Sequence, residues 1–216
     1  GFGFCLDHPF IFFHDVISDV ILAVTKKHNQ FFITVFPVGI FHWESVPFFC
    51  LDCRIRIKSG PVAIGCDVVN VKIRGKSGHA ARPHEAHDAL LASCQYVVAL
   101  QQIISRNIDP KNTEIISVGT LNAGTAVNII ADHARLSMNV RSYDIASRDI
   151  TKRKLYDIAD GIGKITDCAF ELEYVDGYEP TINHEGVAEL VADACRKHLG
   201  GDSVEIGDYD LGSDDF

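Results

Sequence analysis

One stretch of the chain reads Gly75-Lys76-Ser77-Gly78-His79-Ala80-Ala81-Arg82-Pro83-His84. A histidine that follows a glycine in a loop is accessible and uncrowded. Its imidazole can donate a hydrogen bond to an oxyanion as negative charge develops there. With His84 and His87 it forms a three-histidine cluster, the raw material of a metal site. Glu85 and Asp88 are the only carboxylates at hand to complete such a site. The same residues equally suit a polar loop whose histidines cap the helix that follows.

A second stretch reads Val118-Gly119-Thr120-Leu121-Asn122-Ala123-Gly124-Thr125-Ala126-Val127-Asn128-Ile129-Ile130. Taken alone it is a hairpin, and Asn122 and Asn128 are simple turn formers. Arg141 stands at the end of a strand, on its polar face. Its fork binds a carboxylate at two points, although a solvated surface arginine looks the same in sequence. Cys50-Leu51-Asp52-Cys53 is a single C-x-x-C: half a zinc site, a weak redox pair, or two partly buried cysteines.

The elements that position these residues are legible from periodicity. Val69, Val71 and Ile73 alternate with Asn70, Lys72 and Arg74, which predicts a half-buried strand. Residues 85–106 predict a helix with Ala86, Ala89, Leu90, Ser93, Val97, Leu100 and Ile104 on one face. Residues 114–121 predict a second strand. Ala134, Leu136, Met138 and Val140 mark a third. Ile150, Leu155, Ile158, Ile162 and Ile165 mark a second helix, and Phe170, Leu172 and Tyr174 a fourth strand. The order strand–helix–strand–strand–helix–strand is ferredoxin-like, with two helices on one face of an antiparallel sheet and the other face free. Asn183 is placed to cap a further helix to about Leu199, and residues 203–206 read as a short strand. Upstream, residues 15–28 suggest a helix, with Val16, Val20, Ala23 and Val24 on one side, and residues 31–38 a buried strand.

Composition narrows the possibilities. The chain has 216 residues, 47% hydrophobic and 23% charged, which predicts a packed core and excludes wholesale disorder. Its net charge of -9, with no long Lys/Arg cluster, argues against nucleic acid and against anionic membrane surfaces as partners. The uncharged run of residues 29–43 is shorter than the ~20 apolar residues of a membrane helix. Seven cysteines in a chain of this length point to a reduced, cytoplasmic protein and not to a disulfide scaffold. The start at Gly1 and the stop at Phe216, just after Gly212-Ser213-Asp214-Asp215, lead us to expect truncation at both ends.

Several of these stretches occur together, and in order, in a known family. Residues 75–84, Asp88-Ala89, Ser105-Arg106 with Asp109-Pro110, residues 117–130 and Asn139-Val140-Arg141 resemble the lid domain of the hippurate hydrolase, indoleacetyl-amino-acid hydrolase and N-acyl-amino-acid amidohydrolase group. That group lies within the aminoacylase and carboxypeptidase metallopeptidases. Gly177-Tyr178-Glu179-Pro180-Thr181-Ile182-Asn183 and Gly212-Ser213-Asp214-Asp215-Phe216 resemble the family's return into its catalytic domain.

The resemblance implies an α/β architecture: a ferredoxin-like βαββαβ dimerisation or lid domain over residues 67–177, inserted into an incomplete metallopeptidase catalytic domain. Residues 1–66 and 178–216 would be parts of that catalytic domain. It implies metal-dependent hydrolysis of linear amides in N-acyl amino acids, and homodimerisation through the lid. The lid would reach the partner subunit's active site, with His79 on the tetrahedral oxyanion and Asn128 and Arg141 on polar groups of the substrate, Arg141 on its carboxylate.

The family uses two divalent metals, Zn or Mn, a bridging water and a glutamate base. It takes its ligands from His-x-Cys-Gly-His-Asp, Pro-x-Glu-Glu and Gly-Leu-His segments. Here the corresponding positions read Phe4-Cys5-Leu6-Asp7-His8, Phe36-Pro37-Val38-Gly39-Ile40 and Phe49-Cys50-Leu51-Asp52. Cys5 fits one ligand-motif position, while the histidines and the glutamate pair are lost or displaced. Asp7, His8, Glu44 and Asp52 have the chemistry to rebuild a site. Two rivals therefore stand beside the enzyme: a non-catalytic module that only dimerises, and an amino-acid sensor that uses the free sheet face.

Overall fold

The structure is a computed structural model. It describes residues 54–199 and 201–206 and, before them, the strands Phe10–Ile11, Val16–Ile17, Val20–Lys27, Gln30–Pro37 and Glu44–Leu51. Side chains are described for residues 57–197, 201, 202, 204 and 205. The chain divides into two compact units, Ala63–Pro180 and a second unit that draws on residues either side of it, Gly1–Val62 and Thr181–Gly212.

The unit Ala63–Pro180 is built from β1 (Gly65–Arg74), α1 (Ala89–Asn107), β2 (Glu114–Ala123), β3 (His133–Ser142), α2 (Ile145–Thr166) and β4 (Ala169–Tyr178). The sheet runs β2-β3-β1-β4, antiparallel throughout. This is the ferredoxin-like order expected from the sequence. Strict alternation makes the sheet two-faced. Val69, Val71 and Ile73 of β1 and Ala134, Leu136, Met138 and Val140 of β3 are buried, while Asn70, Lys72 and Arg74 are not. The buried set packs on Ala92, Tyr96, Leu100 and Ile103 of α1 and on Leu155 and Ala159 of α2.

Both helices turn a somewhat different face inward from the one periodicity predicts. Helix α1 starts at Ala89, not at 85, because Asp88 caps it by accepting from Leu91 N at 3.0 Å. Pro83–Glu85 form a separate single turn, and Ala86 lies outside the helix. Leu90 is 44% exposed. Tyr96 takes the central position: its ring lies 5.4 Å from that of Phe170, and its hydroxyl donates to Leu155 O at 3.2 Å, tying the two helices together. In α2 the buried residues include Ser147, Arg148 and Thr151, whereas Ile165 is 74% exposed. The buried Arg148 displaces the apolar stripe because its partner, Asp67, is itself on the inward face of β1.

In the other unit, Val20–Lys27, Gln30–Pro37, Glu44–Leu51 and Arg54–Ile57 pair antiparallel in sequence order. Val204–Ile206 joins Arg54–Ile57 in parallel. The helix expected over 15–28 is not formed. The run Val20-Ile21-Leu22-Ala23-Val24-Thr25 is rich in β-branched residues, which lose little in an extended chain, and it finds a full-length partner in Gln30–Pro37. The helix α3 spans Glu185–Leu199. Asn183 does not cap it. Asn183 closes the strand Thr181–Asn183 and donates to Lys58 O at 2.9 Å, while Ala188 N donates to His184 O. No helix among the described residues is long and apolar enough to cross a membrane.

Candidate functional site

The loop after β1 is pinned at both ends by backbone bonds. Gly75 N donates to Asp132 O at 2.7 Å, and Lys76 and His87 exchange two bonds of 2.9 Å. Gly75 is obligatory here: a Cβ would fall 2.1 Å from His87 O. Within the loop, Gly78–His79 pair with Ile129–Ile130, His79 opposite Ile129. Ala80 N donates to Asn128 O at 3.1 Å, so His79 and Asn128 sit side by side on two paired segments.

His79 is exposed, and one of its ring nitrogens is already engaged. Ala81 N donates to Nδ1 at 3.1 Å. An Nδ1 that accepts a hydrogen bond carries no proton, so the neutral ring carries it on Nε2. Its backbone carbonyl accepts from Arg82 N at 2.8 Å, which fixes the turn. The result is a hydrogen-bond donor presented to solvent from a braced loop. His84 and His87 turn elsewhere: His84 lies 3.8 Å from Glu85, and His87 lies 3.9 Å from Asp167. Among the described residues no group of three His, Cys, Asp or Glu could hold a metal. Cys5, Asp7, His8 and Asp52 lie outside the described residues, as does the stretch from Gly212 to Phe216; of Glu44 and Cys50 only the backbone is described.

Arg141 is not beside His79 and Asn128. It lies on β3 opposite Cys66, near the start of β1, whereas the His79 loop leaves the far end of β1, where Arg74 faces His133. Eight residues of strand separate Arg141 from His133, which at about 3.3 Å per residue is roughly 26 Å. The guanidinium Nε donates to Asn139 Oδ1 at 2.9 Å. Asn139 Nδ2 in turn donates to Cys66 Sγ at 2.9 Å and to Asp67 O at 3.2 Å.

Asp67 anchors a buried polar network on the other face. It is 1% exposed, and it accepts from Arg148 Nε and Nη2 at 2.7 and 2.8 Å, from the Tyr174 hydroxyl at 2.6 Å and from Gly177 N at 2.9 Å. Burial alone pushes its carboxyl upward, but Arg148, Tyr174 and the Gly177 amide outweigh that and hold it below the usual carboxylate range. Arg148 also reaches Asp176 at 3.2 Å and Glu179 at 3.6 Å. This network makes the inward face of α2 polar at its start. Periodicity alone does not reveal it, yet a signal exists: Asp67 falls in phase with Val69, Val71 and Ile73, and a charge on the inward face requires a buried partner.

Known proteins share this domain. Residues 65–167 match the peptidase dimerisation domain family. The chain is 32% identical over 178 residues to the hippurate hydrolase of Campylobacter jejuni, covering 82% of this chain and 46% of that protein. Among solved structures, one from methicillin resistant Staphylococcus aureus has a TM-score of 0.72 and 27% identity, covering 76% of this chain and 42% of the other. The fold is shared with the Bacillus subtilis YXEP protein, a dinuclear metal binding peptidase of the M20 family, at a TM-score of 0.59 and 20% identity, with coverage of 74% and 39%. The chain thus spans about half the length of the curated relatives it matches. Through residues 65–167 the chain is a member of the M20 peptidase dimerisation domain family.

Proposed function

We propose that this chain is part of a homodimeric hydrolase of linear amide bonds, acting on N-acyl amino acids. The observation that carries the reading is the braced His79, with Nδ1 occupied by Ala81 N and the remaining nitrogen a donor, next to Asn128. Amide hydrolysis needs such a donor where the carbonyl oxygen becomes an oxyanion. The hippurate hydrolase relative acts, by its name, on an N-acylated amino acid. A divalent metal, Zn or Mn and two per subunit as in the family, would supply the attacking hydroxide. The described residues contain no set of ligands for it. What the dimerisation domain brings to the reaction is donors and a cation, not metal ligands.

In that domain His79 and Asn128 act together on the acyl end of the substrate, and Arg141 supplies a cation for the carboxylate end. The separation of roughly 26 Å along β3 exceeds the length of a small N-acyl amino acid such as N-benzoylglycine. One domain therefore serves two active sites in the dimer, with His79 and Asn128 in one and Arg141 in the other. In metal-loaded protein, His79→Ala is expected to lower kcat for N-benzoylglycine about 10²–10³-fold with a smaller change in KM, the loss typical of an oxyanion donor. Undiminished kcat would remove His79 from the reaction.

A further inference from the structure

We propose that Asn139 is a positioning residue that aims the Arg141 guanidinium for carboxylate recognition; the inference rests on the reading of Arg141 as the carboxylate cation. Asn139 and Arg141 are two apart on β3, so their side chains stand on the same face of the sheet. The orientation of the Asn139 amide is determined by chemistry. Asp67 O can only accept, so it must face the NH2; Arg141 Nε can only donate, so it must face Oδ1. A flipped amide would set donor against donor on one side and acceptor against acceptor on the other. The amide therefore has one satisfied orientation, and that orientation presents an acceptor to Nε.

Holding Nε has a directional consequence. A guanidinium is planar, and a hydrogen bond in that plane at Nε fixes the roll of the whole fork about its stem. The two-point match to a carboxylate depends on that roll. The support beneath is rigid. Asp67, whose carbonyl receives Asn139, has its own carboxylate held by Arg148, Tyr174 and Gly177 N. Gly177 is needed for this approach, since a Cβ there would fall 2.0 Å from Cys66 O. Arg141 is thus tied through one amide to a residue whose carboxylate accepts four hydrogen bonds. A neutral asparagine holds the fork without offering it a carboxylate, whereas an aspartate would compete with the substrate for it.

The test compares N-benzoylglycine with its neutral carboxamide in metal-loaded protein carrying Asn139→Ala, Asn139→Asp or Arg141→Ala. If Asn139 aims the fork, Asn139→Ala raises KM for the carboxylate about tenfold with kcat within twofold, the scale of one lost hydrogen bond to a charged group. The preference for carboxylate over carboxamide falls by the same factor, and Asn139→Asp lowers it further. A second readout needs no turnover. The Arg141 Nε–H resonance, assigned by its loss in Arg141→Lys, exchanges slowly with solvent in the wild type and at least about tenfold faster in Asn139→Ala. A raised KM in Arg141→Ala with none in Asn139→Ala overturns the positioning role and leaves Arg141 as the carboxylate cation. No change in either variant overturns both, and unaltered Nε–H exchange in Asn139→Ala overturns the clamp itself.

Discussion

Glu114 opens β2 and is 5% exposed, and no cation among the described residues pairs with it. The Ser142 hydroxyl donates to Oε1 at 2.9 Å, while Oε2 and the nearby Thr151 Oγ1 are both buried outside hydrogen-bond geometry. Burial pushes the carboxyl up; the Thr151 and Ser142 hydroxyls draw it part of the way back; the charges of Asp144 and Asp67 push it up again, to about 7. Between the ordinary value of 4.5 and about 7, the folded chain keeps a proton that the unfolded chain has released. This group's stabilising contribution is therefore complete below pH 4.5 and lost as pH rises through about 7. Integrated from pH 5 to pH 8 the loss is about 2.5 kcal/mol. Glu114→Gln is neutral at every pH, keeps an acceptor for Ser142 and offers an NH2 toward Thr151. Urea unfolding of both proteins, followed by far-ultraviolet circular dichroism at equal protein concentration, isolates the effect because every other titrating group is common to both. The variant is expected to be more stable at pH 8 by about 2 kcal/mol relative to its standing at pH 5. Parallel stability curves between pH 5 and 8 would show that Glu114 is ionised in the fold and refute the burial argument.

Arg148→Met leaves Asp67 buried without its cation and is expected to cost about 3–5 kcal/mol, most of it recovered by adding Asp67→Asn; additive losses in urea unfolding would mean that the pair is not coupled. The Asp67 contribution has the opposite pH sign to that of Glu114, being present above pH 3.8 and lost as pH falls through the lowered folded value, so acid unfolding of Arg148→Met should begin at higher pH. Mixing the inactive His79→Ala and Arg141→Ala proteins under subunit exchange should restore about a quarter of wild-type activity, because half of the dimers are mixed and each mixed dimer holds one intact site. No recovery would mean that all three residues reach the same active site.

The strands of the dimerisation domain were legible because Val69, Val71 and Ile73 of β1 and Ala134, Leu136, Met138 and Val140 of β3 alternate with polar residues. The helix faces were legible only to within a residue or so. Val97 and Ile104 flank the buried stripe of α1, but the bulk of Tyr96 and the bond from its hydroxyl to Leu155 O decide which stripe goes in. Residues 15–28 misled because Val16, Val20 and Val24 are spaced four apart, which suits a helix, while their branched side chains favour a strand. Pairing with Gln30–Pro37 decided it, and pairing is not a local property. Of the candidate site, residue types were readable and placement was not. The neighbourhood of His79 and Asn128 depends on the pairing of Gly78–His79 with Ile129–Ile130, two short segments with no periodic signature. The remoteness of Arg141 follows from counting along a ten-residue strand, once that strand and its register are known.

The placement of the ion network bears on why a charged residue is tolerated on the inward face of β1 at all. A buried Asp–Arg pair seldom stabilises a fold more than well-packed apolar residues of the same volume would. Asp67, however, holds three elements at one point: β1 through its own backbone, α2 through Arg148, and the end of β4 through Gly177 N. An apolar side chain would fill that space without fixing the register of β4 against β1, where pairing is interrupted between Val175 and Tyr178. The same residue's carbonyl holds Asn139, and Asn139 holds Arg141. The network thus lies under the Arg141 end of the sheet, whereas the other end is braced differently. There, His79 is held by backbone bonds from Ala81 and to Asn128 O through Ala80. A neutral imidazole donor needs only its tautomer fixed, which one backbone N–H accomplishes. A cationic fork needs its plane fixed, and that requires a side-chain acceptor on a strand that cannot slide.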